Sequence, residues 1–387
     1  MHADPLSGAA ILDLLQKLIR IPSVNPVLAP GECPGEEAIA RFAATWMQEH
    51  GLAARIEEVA PDRFNAIGET GTGPTLVFCA HLDTVSAKGM DVAPFDGNIE
   101  DDRVYGRGSY DMKGGVAACM AAAAAIARAS LPVRVVVALV CDEEYASIGA
   151  DHFVQNYNAD AAILTEPSEG GPDALVLAHK GFVWAEVVTH GVAAHGSRWD
   201  LGESAIAKMA PIITALDNFD RNILRKRTHP LVGPASMHCA MVDGGIGYST
   251  YAPECRLRIE RRTIPGETAE DAIAEIEEVI RGTGTPAEVH RTFDRGPMTC
   301  PPDAPIARCV RDAAAQVLGR IPADAGVAYW MDAAVFDAAG VPTVNIGSLG
   351  AGAHGAIEWV DLPSVVQVAR ILAESARGFA RLATPSA

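Results

Sequence analysis

Short apolar runs alternate with amphipathic helical segments along most of the chain. Apolar residues recur at helical spacing in residues 9–19 and 35–50, and alanines dominate a further predicted helix at 113–129. Mainly apolar runs separate these helices, which is typical of strands buried on both faces of a sheet. The runs lie at residues 76–79, 132–140, 161–165 and 341–346. The alternation predicts an α/β fold.

The pattern changes after residue 178, where strands with alternating polar and apolar positions replace the continuous runs. Two strands and two helices are predicted there, at residues 182–189, 204–219, 256–263 and 269–280. Thr268 stands at the N-cap position of the second helix. These elements suffice to close a core of their own. We therefore predict an inserted domain at 179–293 within a catalytic domain formed by 1–178 and 294–387.

Each of the four apolar runs is followed by histidine or carboxylate side chains. In chain order these are His81 and Asp83, then Asp142, Glu143 and Glu144, then Glu166, and finally His354. A glycine-rich stretch, 106–115, adds Asp111 at the start of the alanine-rich helix. Ligands collect outside the carboxyl ends of strands in open α/β sheets. A histidine and several carboxylates gathered at such an edge suit a divalent metal.

Charge and cysteine content narrow the choice of partners and compartment. The 387-residue chain has a formal net charge of -18, which argues against nucleic acid or anionic membrane as a partner. Its eight cysteines show no Cys-x-x-Cys spacing and several lie in apolar runs, as expected of reduced thiols in the cytoplasm. The N-terminus does not look like a signal peptide, and no apolar run reaches the ~18 residues of a membrane span.

Five motifs in this order resemble the M20 family of metallopeptidases and deacylases. They are His81-Leu82-Asp83, Asp111-Met112-Lys113-Gly114-Gly115, Asp142-Glu143-Glu144, Glu166-Pro167 and His354. The family includes acetylornithine deacetylase, succinyl-diaminopimelate desuccinylase, aminoacylase and carboxypeptidase G. The resemblance spans nearly the whole chain. It implies a zinc-peptidase-like catalytic domain with a central mixed, mostly parallel sheet, and an inserted α+β domain that serves as a lid and in dimerisation.

The resemblance also implies a centre of two zinc ions, for which cobalt could substitute, bridged by Asp111. His81 and Glu166 would complete one metal, and Glu144 and His354 the other. A bridging carboxylate suits this arrangement, because two dications about 3.5–4 Å apart repel each other.

Two further carboxylates receive roles from the same resemblance. Glu143 would be the general base, which must lie near the metals without being bound to them. Asp83 would orient the imidazole of His81 through its second ring nitrogen. The family's loop also implies a cis peptide between Asp111 and Met112. Glu358, near the last motif, is expected to be structural and not a ligand.

Three residues of the inserted domain complete the expected site. In the family, a histidine in the position of His195 reaches the active site of the other subunit of a homodimer and stabilises the tetrahedral oxyanion. Arg262, in a stretch that resembles Asp-x-Arg-x-x-Pro-Gly, would bind the substrate carboxylate. Thr250 stands where many members have asparagine. Arg256 and Arg258 share the polar strand face with Arg262, and this positive patch favours an anionic ligand.

The leading hypothesis is a metal-dependent hydrolase that removes the acyl group from an N-acyl amino acid. A carboxypeptidase or dipeptidase of the same family, acting on short peptides, needs the same metals and base. An inactive binding homologue is the non-enzyme alternative, and the presence of all the expected ligands and the base argues against it.

Overall fold

The computed structural model describes residues 4–33, 35–129 and 131–382. The chain divides into two compact units. Unit 1 contains Met1–Leu177, Cys300–Ala325 and Met331–Ala387, and unit 2 contains Ala178–Thr299 and Gly326–Trp330. Residues 1–3, 34, 130 and 383–387 of the predicted catalytic domain lie outside the described ranges.

Helices and strands alternate through unit 1, which two segments of unit 2 interrupt. The helices are α1 (Gly8–Ile19), α2 (Glu37–Glu49), α3 (Gly114–Ala129), α4 (Ile148–Asn156), α5 (Ala205–Asn222), α6 (Ala269–Gly282), α7 (Pro305–Leu318), α8 (Ala333–Ala338) and α9 (Leu362–Leu382). The strands are β1 (Ala53–Ala60), β2 (Arg63–Thr70), β3 (Thr75–His81), β4 (Ile99–Glu100), β5 (Arg103–Tyr105), β6 (Arg134–Val140), β7 (Ala161–Leu164), β8 (Ala174–His179), β9 (Gly181–His190), β10 (Thr228–His229), β11 (Gly233–Pro234), β12 (Ser236–Gly244), β13 (Glu254–Thr263), β14 (Glu288–Arg295), β15 (Met298–Thr299), β16 (Ala323–Val327), β17 (Thr343–Asn345), β18 (Gly350–Ala351) and β19 (Trp359–Asp361).

The central sheet of unit 1 is mixed, as predicted. Its strand order is β1-β2-β6-β3-β7-β17-β8-β15, and β16 also pairs with β8. The four strands β6, β3, β7 and β17 are mutually parallel neighbours, whereas β1, β2 and β8 pair antiparallel. Every residue of β3, β7 and β17 is buried, as expected of central parallel strands that are covered on both faces. The carboxyl ends of four adjacent parallel strands therefore meet at one edge.

The alanine-rich helix α3 is the core helix of unit 1. It packs against α9, α1 and the sheet, and small side chains permit this close approach. A Cβ on Gly115, for example, would lie 2.5 Å from Oγ1 of Thr165. Among the described residues one helical stretch, Ser109–Ala129, is long and apolar enough to cross a membrane. However, 78% of its most apolar window is buried inside the protein, as in a core helix.

Unit 2 contains an antiparallel sheet with helices on one face. The strand order is β12-β13-β9-β14, and α5 and α6 pack on the same side. The core between them includes Val187, Leu257, Ile212 and Ile276. The N-cap of α6 is Thr268, whose hydroxyl accepts the backbone N–H of Asp271, as predicted.

The inserted unit extends further than the predicted range 179–293. Strand β14 runs to Arg295 and pairs along β9, and β15 pairs with the last residues of β8. Residues 294–299 therefore group with unit 2 and not with unit 1, and so does Gly326–Trp330. The difference from the predicted range reflects strand pairing between segments 100 or more residues apart, which local patterning does not show.

Candidate metal centre

The side chains predicted to bind metal converge at the carboxyl edge of the unit 1 sheet. His81 ends β3, Glu144 lies in the turn after β6, and Glu166 follows β7. His354 lies in the loop between β18 and β19, and Asp111 in a kinked turn that leads into α3. Three of the five expected ligands therefore follow adjacent parallel strands, and the other two lie in loops.

Asp111 lies between the two histidines. Its Oδ1 is 3.1 Å from Nε2 of His81, and its Oδ2 is 3.3 Å from Nε2 of His354. His81 Nε2 is also 3.6 Å from Glu166 Oε1, and His354 Nε2 is 3.1 Å from Glu144 Oε2. Each carboxylate oxygen of Asp111 therefore faces one histidine, and each histidine lies near the glutamate with which the resemblance pairs it.

The ring of His81 is oriented by a backbone group. Its Nδ1 lies 2.9 Å from the main-chain carbonyl oxygen of Asp83, whereas the Asp83 carboxylate is 3.6 Å away, beyond hydrogen-bond distance. The predicted contact between His81 and the Asp83 carboxylate is therefore wrong, because the backbone carbonyl of Asp83 makes the contact instead. A carbonyl oxygen only accepts, so Nδ1 carries a proton, and a lone pair on Nε2 faces the carboxylates whenever the ring is neutral.

The carboxylate of Asp83 instead holds the turn that carries the expected base. Its Oδ1 accepts the backbone N–H of Glu143 at 3.1 Å, and its Oδ2 accepts that of Glu144 at 3.2 Å. Glu143 Oε2 lies 3.8 Å from Nε2 of His81, close to the cluster. Asp83 is therefore a support for two neighbouring residues with different expected roles, which the sequence did not reveal.

Glu358 supports the other side of the centre. Its buried carboxylate accepts the backbone N–H groups of Gly108, Tyr110 and Asp111 at 2.9, 3.0 and 3.0 Å. Arg107 Nη1 donates to the same carboxylate at 2.6 Å. Gly108 has a φ of 75°, and a Cβ there would lie 2.5 Å from Thr84, so the turn requires glycine. Glu358 is structural, as predicted.

The peptide bond between Asp111 and Met112 is cis, which confirms the expectation taken from the family's loop. The turn that contains it departs from helical geometry at both residues.

Electrostatics within the cluster favour bound positive charge. Burial opposes the charged form of His81, but the carboxylates of Glu166, Asp111 and Glu143 outweigh it and raise the pKa of this imidazole well above its usual range. Hydrogen bonds to Asp111 and Glu144 raise the pKa of His354 to about 10. Burial and the neighbouring Glu166 raise the pKa of Glu143 well above its usual range. Too many carboxylates crowd the site to be ionised together without a cation.

The residues expected to contact substrate lie in unit 2. His195 and Thr250 form an isolated antiparallel bridge, so these two residues are neighbours. Nδ1 of His195 is 2.8 Å from Oγ of Ser197 and accepts the backbone N–H of Ser197 at 3.2 Å. With Nδ1 accepting, the neutral ring carries its proton on Nε2. An exposed N–H donor is what an oxyanion contact needs.

The expected positive patch on β13 is not present as such. Arg256 pairs with Glu186 at 2.6 Å, Arg258 with Asp243 at 3.0 Å, and Arg262 with Glu260 at 2.9 Å. The arginines therefore give no support for an anionic ligand, because Glu186 on β9, Asp243 on β12 and Glu260 on β13 itself neutralise them. The carboxylate-binding role of Arg262 stays a prediction that rests on the resemblance alone.

Comparison with known proteins places this geometry in a family. A sequence model of peptidase family M20/M25/M40 matches residues 77–378. The acetylornithine deacetylase of Vibrio cholerae is 28% identical over 267 residues, which cover 66% of this chain and 69% of the relative. The acetylornithine deacetylase of Proteus mirabilis is 28% identical over 269 residues, covering 67% and 68%.

Solved structures share the fold along nearly the whole chain. Aminopeptidase PepT from Bacillus cereus superposes with a TM-score of 0.78 at 17% identity, covering 96% of this chain and 98% of that one. The M20 family metallo-carboxypeptidase Sso-CP2 from Sulfolobus solfataricus gives 0.78 at 18% identity, covering 96% and 99%. A dinuclear metal-binding M20 peptidase from Bacillus subtilis gives 0.74 at 16% identity, covering 97% and 98%.

Proposed function

The chain belongs to peptidase family M20/M25/M40, whose members are metal-dependent hydrolases, and from this premise we propose that it uses two zinc ions to remove the acyl group from an N-acyl amino acid. One observation carries the two-metal part of the proposal. The two carboxylate oxygens of Asp111 face different histidines, at 3.1 and 3.3 Å, as a bridging ligand requires.

The residues present fit zinc. Histidine nitrogen and carboxylate oxygen both bind zinc. The cluster offers two histidines and at least three carboxylates. His81 would present an unprotonated Nε2 to acceptor oxygens, a contact that is repulsive unless a cation or a proton lies between them. Oε1 of Glu144 is buried without a hydrogen-bond partner among the described residues, as expected of a ligand atom. Cobalt, with similar ligand preferences, is proposed as a functional substitute.

His81 and Glu166 would hold one ion, Glu144 and His354 the other, and Asp111 both. Zinc bound there supplies Lewis acidity, which polarises the amide carbonyl and makes water a better nucleophile. Glu143 accepts a proton from the attacking water and later donates it to the departing amine nitrogen. Asp83 holds Glu143 and Glu144 in register through their backbone N–H groups.

The inserted unit supports the proposed homodimer. Large apolar side chains are exposed near His195, including Trp199 at 80% and Ile246 at 73% exposure. The edge strand β12 also exposes Met241 and Val242, and an open edge of this kind can pair with a second chain. In such a dimer His195, which lies next to Thr250, would donate its Nε2–H to the oxyanion in the partner's site. Arg262 would bind the substrate carboxylate.

The choice of an N-acyl amino acid follows the names of the relatives in Vibrio and Proteus, both acetylornithine deacetylases. A carboxypeptidase or dipeptidase activity on short peptides is the second candidate, because the carboxypeptidase from Sulfolobus shares the fold over 96% of the chain. Amide hydrolysis of an amino acid derivative is common to both. All eight cysteines are unpaired and seven of them are buried. Because free thiols are typical of a reducing compartment, we propose a cytoplasmic location.

A substrate panel tests the proposal. The zinc-loaded protein is incubated with N-acetyl amino acids, including N-acetylornithine, with the N-succinyl analogues, and with dipeptides of the same amino acids, and released amine is measured. We expect turnover of N-acyl amino acids to exceed that of dipeptides, and chelation to abolish it. Faster cleavage of dipeptides would favour the peptidase, and no cleavage by a protein that holds zinc would contradict both.

A further inference from the structure

Asn25 lies in the short segment that follows α1 and has no role in the mechanism above. The segment runs beside the residues that follow β3. Asn25 donates its backbone N–H to the carbonyl of Thr84 at 2.8 Å, and Thr84 donates to the carbonyl of Ser23 at 3.0 Å. These backbone bonds hold Asn25, which is fully buried, next to Asp83.

The side-chain amide of Asn25 joins two carboxylates. Nδ2 donates to Oδ2 of Asp83 at 2.8 Å and to Oδ1 of Asp142 at 3.0 Å. Oδ1 of Asn25 accepts the backbone N–H of Val27 at 3.0 Å, so the orientation of the amide is set by its partners. Both hydrogens of Nδ2 are thereby used, one on each carboxylate.

These two carboxylates flank the turn that carries Glu143 and Glu144. Asp83 accepts the backbone N–H of both residues. Asp142 precedes them directly and has a φ of 71°, a region that favours glycine. A non-glycine residue keeps this conformation only where its surroundings hold it. The backbone carbonyl of Asp142 also accepts the N–H of Ala146 at 3.0 Å, which closes the turn.

The same pair of carboxylates would repel each other without donors between them. Arg63 supplies a second contact, donating to Asp142 Oδ1 at 2.7 Å, and is itself held by the buried Glu36 at 2.9 Å. The three buried acids Glu36, Asp83 and Asp142 are thus bound by two donor groups, the guanidinium of Arg63 and the amide of Asn25. The amide is the member that touches both Asp83 and Asp142.

We propose that Asn25 is a positioning residue that fixes the general base Glu143 and the ligand Glu144 by tying together Asp83 and Asp142. The inference rests on the proposed function for the roles of Glu143 and Glu144. Misplacement of a catalytic group by about 1 Å can cost about 100-fold in rate. Loss of a group that orients metal ligands typically costs about 10- to 100-fold in affinity or activity.

The test compares Asn25→Asp, Asn25→Ala and Asn25→Ser. Asn25→Asp keeps the shape but replaces the shared donor by an acceptor, and Asn25→Ser keeps one small donor. Asp220→Asn is the matched control, because Asp220 is a buried carboxylate in unit 2 that accepts the backbone N–H of Met237 at 2.8 Å. Melting temperature, zinc affinity by chelator competition, kcat and KM are measured for the folded, zinc-loaded protein.

We expect kcat to fall by about 10- to 100-fold in Asn25→Asp and Asn25→Ala, with KM unchanged, zinc affinity reduced, and Asn25→Ser in between. Asp220→Asn should lower only the melting temperature. If the Asn25 variants likewise show only a lower melting temperature and keep wild-type kcat and zinc affinity, Asn25 is structural and the proposal fails. If Asn25→Asp does not fold, Asn25→Ser decides on the same readouts.

The zinc competition needs no substrate. A wild type that binds zinc but hydrolyses no member of the panel would overturn the proposed function. A loss of zinc affinity in Asn25→Ala would still support positioning of Glu144, so the two failures are distinguishable.

Discussion

The carboxylate of Glu358 accepts the backbone N–H of Asp111 at 3.0 Å, although the two residues lie 247 positions apart in the chain. The same carboxylate accepts from Gly108, Tyr110 and Arg107, so four donors converge on one side chain. The loop of His354 and the loop of Asp111 are thereby joined. The bridging residue is held from outside the metal cluster.

Glu358→Gln is therefore expected to weaken zinc binding. An amide has one acceptor oxygen and would turn its NH₂ group toward donors, leaving buried N–H groups unpaired. We expect zinc affinity to fall by about 10- to 100-fold, measured by chelator competition. Glu37→Gln, an exposed residue paired with Arg41, is the control. Wild-type zinc affinity in Glu358→Gln would show that the loop does not depend on this carboxylate.

Zinc binding is expected to release protons. The pKa of His354 is raised to about 10 by hydrogen bonds to Asp111 and Glu144, so the metal-free imidazole is protonated at neutral pH. Because this pKa is raised on folding, its stabilisation of the metal-free fold is full below pH about 6.5 and is lost as pH rises through about 10. Zinc needs the neutral ring, so its affinity should rise with pH over that window.

Calorimetric titration with zinc in two buffers of different ionisation enthalpy measures this release directly. The observed heat should differ between the buffers at pH 7. Identical heats would mean that no proton leaves, and that His354 is neutral before zinc arrives.

Much of the site could be predicted from the sequence because buried parallel strands leave an unmistakable pattern. The apolar runs at 76–79, 132–140 and 161–165 are each followed by polar residues, which lie together where the carboxyl ends of adjacent parallel strands meet. The order and spacing of these motifs also supplied the family, and with it the cis peptide at Asp111.

Partners set by strand register could not be predicted. Arg258 lies opposite Glu186 across the β13–β9 pairing, and this neighbour changes with any shift in register. The contact between His81 and the backbone of Asp83 depends on how the chain turns after β3, which residue types do not encode. The place of Asn25 beside the site could not be predicted either, because nothing local links this residue to residues 83 and 142.

His195 is expected to act across the proposed homodimer. Two inactive variants, His195→Ala and Glu143→Ala, are mixed under conditions that allow subunit exchange. If His195 works in trans, a mixed dimer contains one site with both residues intact, and activity should partly return. Absence of recovery, with exchange verified by differently labelled subunits, would place His195 in its own subunit's site or outside catalysis.

Arg262→Lys is expected to raise KM strongly for an N-acetyl amino acid and little for the matching amide, which lacks the carboxylate. Arginine pairs with a carboxylate through two parallel hydrogen bonds that lysine does not reproduce. Arg258→Lys is the control, because Arg258 lies on the same face and pairs with Asp243. An equal loss on both substrates would mean that Arg262 maintains the strand face, where it pairs with Glu260.

The central claim is that Asp111 bridges two zinc ions and that Glu143 acts as the general base beside them without being a ligand. The most direct measurement is zinc stoichiometry and turnover of Glu143→Ala beside Glu144→Ala. Glu143→Ala should keep two zinc ions per chain and lose roughly 100- to 10,000-fold in kcat, the usual contribution of a general base. Glu144→Ala should lose zinc from one of the two positions and turnover with it. Near wild-type activity in Glu143→Ala, or zinc loss there but not in Glu144→Ala, would contradict the account.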